Sequence, residues 1–156
     1  MCDYCGCREL TPIGELSAEH EEITERAGAL ERRLAAGEDA TAELVALQLA
    51  LGPHLHKEER GLFAQLARHP EFAGYLERLG ADHASARAVL LRVTRADRES
   101  APALLAGLRE LETHIESEEL DFFPASRLIL DDESWSEVAE AHLRANADHP
   151  HPATTG

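Results

Sequence analysis

The sequence predicts an all-α protein: an antiparallel up-down-up-down four-helix bundle, with a short C-terminal fifth helix and an irregular cysteine-bearing N-terminal head. Three observations predict it. Aromatic residues are only 4% of the chain, so the core must be built mainly from Leu, Ala and Val, a composition that suits helices better than sheets. Four long stretches place apolar residues at three- and four-residue steps, the period of a single helix face. The apolar–polar alternation of a half-buried strand is absent.

The elements follow in order. Residues 1–14 form the head. The first helix spans about 15–36, with Thr11 and Pro12 suited to opening it and Gly37 to ending it. The second spans about 41–67, is expected to kink at Gly52-Pro53, and stops at His69-Pro70. The third spans about 71–96 and the fourth about 102–130, so that residues 15–130 make the bundle. A fifth helix within 131–148 turns Trp135, Val138 and Leu143 inward, and 149–156 reads as a tail. The short connections favour antiparallel neighbours.

At 156 residues the chain is long enough to bury one core. Its formal net charge of −15 repels phosphate backbones and anionic lipid, so neither nucleic acid nor a membrane surface is an expected partner. No run of about 18 apolar residues exists and no signal-peptide pattern opens the chain. All three cysteines fall within the first seven residues, an odd set that suits a reducing compartment. A cytoplasmic protein is expected.

The inward faces carry the functional signal. The first helix presents Leu16, His20, Ile23, Ala27, Leu30 and Leu34. The second presents Leu44, Leu47, Leu51, His54, Glu58, Leu62 and Gln65. The third presents Phe72, Leu76, Leu79, His83, Ala86, Leu90 and Val93, and the fourth Leu104, Leu108, Leu111, His114, Glu118 and Phe122. Four His and two Glu thus lie in register with the leucines. They also repeat: a lone His is followed by His-x-x-x-Glu, first as His20 with His54 and Glu58, then as His83 with His114 and Glu118.

Each such group costs roughly 1–3 kcal/mol when buried without a partner. Paired His–Glu hydrogen bonds in a metal-free bundle would offset this, and so would metal. Four imidazoles and two carboxylates match the needs of two first-row ions. Imidazole suits Fe, Zn, Cu and Ni, and carboxylate extends the choice toward Mn. The i,i+4 spacing leaves His and Glu about 40° apart on the helix, so both reach the bundle axis. With Glu58 and Glu118 shared and one oxo or hydroxo bridge, each ion keeps a position for a small molecule. The twofold repetition favours metal over the paired bundle.

His20, His54-x-x-x-Glu58, His83 and His114-x-x-x-Glu118, with the trailing EERGLF and EELDFFP, resemble the hemerythrin-like (HHE cation-binding) family over about residues 15–130. The resemblance implies a non-haem di-iron centre of two Fe ions in a four-helix bundle, with those six residues as ligands and Glu58 and Glu118 as bridges. It implies O2, H2O2 or NO as the small-molecule partner. The chain departs from the oxygen-carrying members, which have a fifth His one turn after the third-helix ligand, where this chain has Arg87, and an Asp at the place of Glu118. The loss of a neutral ligand shifts the expectation from reversible O2 carriage toward reaction with peroxide or NO.

Around this set, Glu59 and Glu119 are expected as outer acceptors or solvated groups. Phe63, Phe122 and Phe123 are expected in the core, His56 and Lys57 in solvent, and His69 in a turn. Arg87 is expected either to stabilise a bound anion or to be exposed, and His142 to face the site only if the last helix folds back. Cys2, Cys5 and Cys7 form a second cluster, suited to Zn, an Fe–S centre or redox thiols; it weakly resembles the cysteine head of di-iron proteins that repair iron–sulfur clusters.

The leading expectation is a di-iron protein that binds and reduces or disproportionates small oxidants in oxidative or nitrosative stress defence, catalase-like if an enzyme, with an unknown electron donor. The alternative is an O2, NO or redox sensor, or an iron-handling module without turnover.

Overall fold

The structure, a computed structural model, describes residues 11–149. Every regular element among them is helical. The first rod is α1 (Thr11–Ala35), which begins at the buried Pro12 turn, four residues before the expected start. It stops at Gly37, whose φ of 72° is the left-handed backbone that lets the Gly37 and Glu38 N–H groups bond back to the Leu34 and Arg33 carbonyls.

The second rod is α2 (Thr41–Glu58), a π turn at Glu59–Phe63, and the short α3 (Ala64–Leu66). Asp39 accepts the Thr41 N–H at 2.9 Å at its entry. The helix continues through Gly52-Pro53; the expected kink site does not interrupt it. His69 turns extended ahead of Pro70, as the residue before a proline does, and ends the rod.

The third rod is a 3-10 turn at Pro70–Phe72, then α4 (Ala73–Ala86) and a π turn at Arg87–Leu91. It ends about five residues short of the expected Ala96. The reason is lateral capture. Gln48 Nε2 donates to the Leu90 and Val93 carbonyls at 2.8 and 2.7 Å, while Ala40 N–H donates to the Ala96 carbonyl and Thr41 Oγ1 accepts from Ala96 N–H. Backbone groups that would continue the helix are tied to Ala40, Thr41 and Gln48 instead.

The fourth rod is α5 (Ala101–Ser117), a π turn at Glu118–Phe122, and α6 (Phe123–Ile129). Asp131 then caps α7 (Asp132–Asp148) by accepting the Ser134 N–H at 2.9 Å. Trp135, Val138, His142 and Ala145 form the buried face of α7. Leu143, expected inward, is 70% exposed because it lies about 100° from that stripe.

Two apolar clusters flank the middle of the rods. One holds Ile23, Leu30, Leu47, Leu51, Leu90, Leu104 and Leu111. The other holds Ile13, Leu16, Leu62, Phe72, Leu79, Phe122 and Val138. Along each rod the inward His and Glu fall near where one cluster gives way to the other, and the order in which the chain meets the clusters reverses from one rod to the next. No helix among the described residues is long and apolar enough to cross a membrane.

Candidate metal centre

Between the clusters, His20 from α1, His54 and Glu58 from α2, His83 from α4, His114 from α5 and Glu118 from the π turn converge, none more than 4% exposed. Their ligand atoms form two groups, each within 4.8 Å. One is His20, His54, Glu58 and Glu118; the other is Glu58, His83, His114 and Glu118. Both carboxylates belong to both groups. Nε2 of His20 lies 3.2 Å from Glu118 Oε2, Nε2 of His54 3.1 Å from Glu58 Oε1, and Nε2 of His83 3.2 Å from Glu58 Oε2.

The orientation of each ring has a cause. All four Nδ1 atoms face a carboxylate, which can only accept: His20 donates to Glu119 at 2.8 Å, His54 to Glu19 at 2.8 Å, His83 to Glu59 at 2.9 Å and His114 to Asp82 at 3.1 Å. A neutral imidazole held this way aims its Nε2 lone pair inward, the arrangement that carboxylate–histidine–metal sites use. Phe123 stacks on His20 at 5.5 Å and Phe63 on His83 at 5.0 Å, and Phe122 lies edge-on to Phe63, so aromatic rings cover the site.

The inward Nε2–carboxylate contacts are close but leave several polar atoms without a well-formed hydrogen bond. Both oxygens of Glu58, both of Glu118, and Nε2 of His20 and His54 are buried with no hydrogen-bond partner. Nε2 of His83 and of His114 stand 3.1 Å apart; with both Nδ1 atoms donating outward, two lone pairs face each other unless a proton or a metal ion lies between them. The donor set therefore fits cations.

Without metal, the inward groups shift one another's protonation. Burial disfavours charged imidazole, yet Glu118, Glu119 and Glu58 hold His20 well above the usual histidine range. Burial is likewise outweighed by Glu58 and Glu19 at His54, and by Glu58 and Glu59 at His83, which is pushed up to about 9. Burial works against the Glu58 carboxylate too, but His54, His20 and His83 keep it well below the carboxylate range. Glu118 is pushed up, by burial and then by the charge of Glu58. A metal cation would let both ionise.

A model of the hemerythrin HHE cation-binding domain matches residues 11–126. The chain belongs to that family. No curated protein and no solved structure matches it. The family is one of cation-binding helical domains, and the residue groups just described are those of this hemerythrin HHE domain that could take such ions.

Several surrounding residues differ from expectation. Arg87 neither faces an anion position nor stands free: its guanidinium forms a bidentate pair with Glu59. Lys57, expected in solvent, is 3% exposed and donates to Glu15 at 2.7 Å and to Glu19. His142 is buried by α7 but turns its Nδ1 to Glu15 at 2.9 Å and joins neither ligand group. His56 lies half-buried near His149, away from the site. Cys2, Cys5 and Cys7 lie outside the described residues.

Sequence reasoning missed Glu19 and Asp82 as partners. The signal was present. Each outer carboxylate is the chain neighbour of an inward residue (Glu19 of His20, Glu59 of Glu58, Asp82 of His83, Glu119 of Glu118) and serves a His on another rod. A step of one residue turns about 100° around the helix, toward the adjacent rod.

Proposed function

We propose that this hemerythrin HHE domain holds two iron ions, with His20 and His54 on one, His83 and His114 on the other, and Glu58 and Glu118 shared, and that it binds and turns over O2, H2O2 or NO. The observation that carries this is the membership of both carboxylates in both donor groups. Mixed imidazole and carboxylate donors suit iron. When bound, such a pair supplies Lewis acidity and two redox-active ions to a small oxidant.

The chain's own residues do the rest. Glu119, Glu19, Glu59 and Asp82 orient the imidazoles and raise their basicity. Phe63, Phe122 and Phe123 limit water. Enclosure by side chains that leave the inward set at most 4% exposed restricts the partner to molecules of a few atoms. The reversing order of the apolar clusters supports an up-down-up-down bundle within residues 15–130, and the clustered odd cysteines support a cytoplasmic, reducing setting.

The test is consumption of H2O2 and NO by the iron-loaded protein, alongside Glu118→Ala. Loss of either oxidant that disappears in the variant supports turnover. Unchanged peroxide and NO with reversible O2 binding would replace it with a carrier or sensor.

A further inference from the structure

Metal binding as described leaves the buried ammonium of Lys57 unused. Its Nζ joins Glu15 and Glu19, and the other oxygen of Glu19 takes the Nδ1 proton of His54 at 2.8 Å. Glu15 in turn accepts from His142 Nδ1 at 2.9 Å and Asn146 Nδ2 at 2.7 Å, both on α7. A continuous hydrogen-bonded chain therefore runs from α7 through Glu15, Lys57 and Glu19 to an inward imidazole. Burying an ammonium is costly, and replacing the whole charged set by well-packed apolar side chains would often tie α7 to the bundle as well or better. The charge itself calls for a role.

The other half-site has a counterpart. His83 donates to Glu59, and Glu59 pairs with Arg87. There the two side chains are 34% and 35% exposed, so water and salt screen the cation. Lys57 is shielded from both.

We propose that Lys57 is a positioning residue that sets the reduction potential of the metal pair through Glu19 and His54, an inference that rests on the two-iron reading above. A carboxylate on Nδ1–H makes Nε2 a stronger donor and favours the more positive, oxidised metal. Lys57 tempers that pull and keeps the potential up. Glu15 acts in the opposite sense, since it shares the ammonium with Glu19 and adds negative charge. The two residues must therefore have effects of opposite sign, although both fasten α7.

The experiment is a spectroscopic redox titration of the iron-loaded full chain, compared among wild type, Lys57→Met, Glu15→Gln, the double variant and Arg87→Met. At the wild-type midpoint, Lys57→Met should shift the oxidised-to-reduced ratio at least about tenfold toward oxidised, about 59 mV for a one-electron couple. Glu15→Gln should shift it toward reduced, and the double variant, with its charge restored, should return near wild type. Arg87→Met should shift it less, and that shift should shrink from low to high salt. Equal potentials across the set, with only the melting temperature lowered, would mean that Lys57 is merely a fastener and would overturn the proposal. Shifts of the same sign in Lys57→Met and Glu15→Gln would overturn it too. Should Lys57→Met fail to fold, Glu15→Gln with Lys57→Arg decides: an upward shift in the first with wild-type behaviour in the second supports it, and no shift in the first overturns it. Iron content of the wild type separates the two readings. Two irons with unmoved potentials counts against Lys57 alone, whereas a wild type that holds no iron pair removes both.

Discussion

His83 Nδ1 donates to Glu59 Oε1 at 2.9 Å, and the same carboxylate receives two guanidinium nitrogens of Arg87 at 2.8 and 2.9 Å. Arg87 thus occupies the place one turn after His83 as a support for that imidazole. Removing the carboxylate frees the ring to rotate and weakens its donor nitrogen. Glu59→Ala should lower metal affinity roughly 10–100-fold, measured by competition with a coloured chelator. Unchanged affinity would mean that Glu59 is only a surface partner of Arg87.

Metal removal should destabilise the fold, because the buried carboxylates and the facing Nε2 atoms lose their compensation. An ion present at about a hundred times its Kd contributes about 2.7 kcal/mol. Chelation should therefore lower the melting temperature by roughly 5–10 °C in a domain of this size. In Glu118→Gln the gap between loaded and chelated protein should narrow.

Gly107 sits where α5 meets the third rod. A Cβ there would lie 2.7 Å from Val89 Cγ1 and 3.2 Å from Leu90 Cδ2. A β-branched neighbour on a helix has little freedom to move away. Gly107→Ala should cost about 1–3 kcal/mol in urea unfolding despite the better helix propensity of alanine. A gain in stability would show that the rods part easily at this point.

The Glu15 carboxyl is held at about 2 against a usual 4.5: burial opposes ionisation, but bonds from Asn146, Lys57 and His142 prevail. A lowered folded-state value favours folding fully above the unfolded value and loses that contribution as pH falls toward the folded one. The stability difference between wild type and Glu15→Gln should be constant above about pH 4.5 and close progressively toward about pH 2, followed by urea unfolding across that range. A difference that widens on acidification would contradict the network.

The helices and the six inward residues were legible because burial writes a three- and four-residue period into the chain, and His20, His54, Glu58, His83, His114 and Glu118 keep that period among leucines. What was hidden depends on departures from a straight helix and on neighbours remote in the chain. The π turns at Glu59–Phe63, Arg87–Leu91 and Glu118–Phe122 follow or contain inward residues and have no composition of their own. Capture of the Leu90 and Val93 carbonyls by Gln48 shortened the third rod, a contact made across more than forty residues. Lys57 reads as a surface residue until α7 is seen to bring His142 and Asn146 over Glu15 and close the space around it.

Iron analysis of protein reconstituted without oxygen, with its absorption spectrum after air or peroxide, tests the central claim most directly. A two-iron domain should show about two irons per chain, one for each donor group, with an oxo-to-iron absorption band in the wild type and neither feature in the Glu58→Ala, Glu118→Ala double variant. Little bound iron in the wild type, or the same iron content in the double variant, would contradict it.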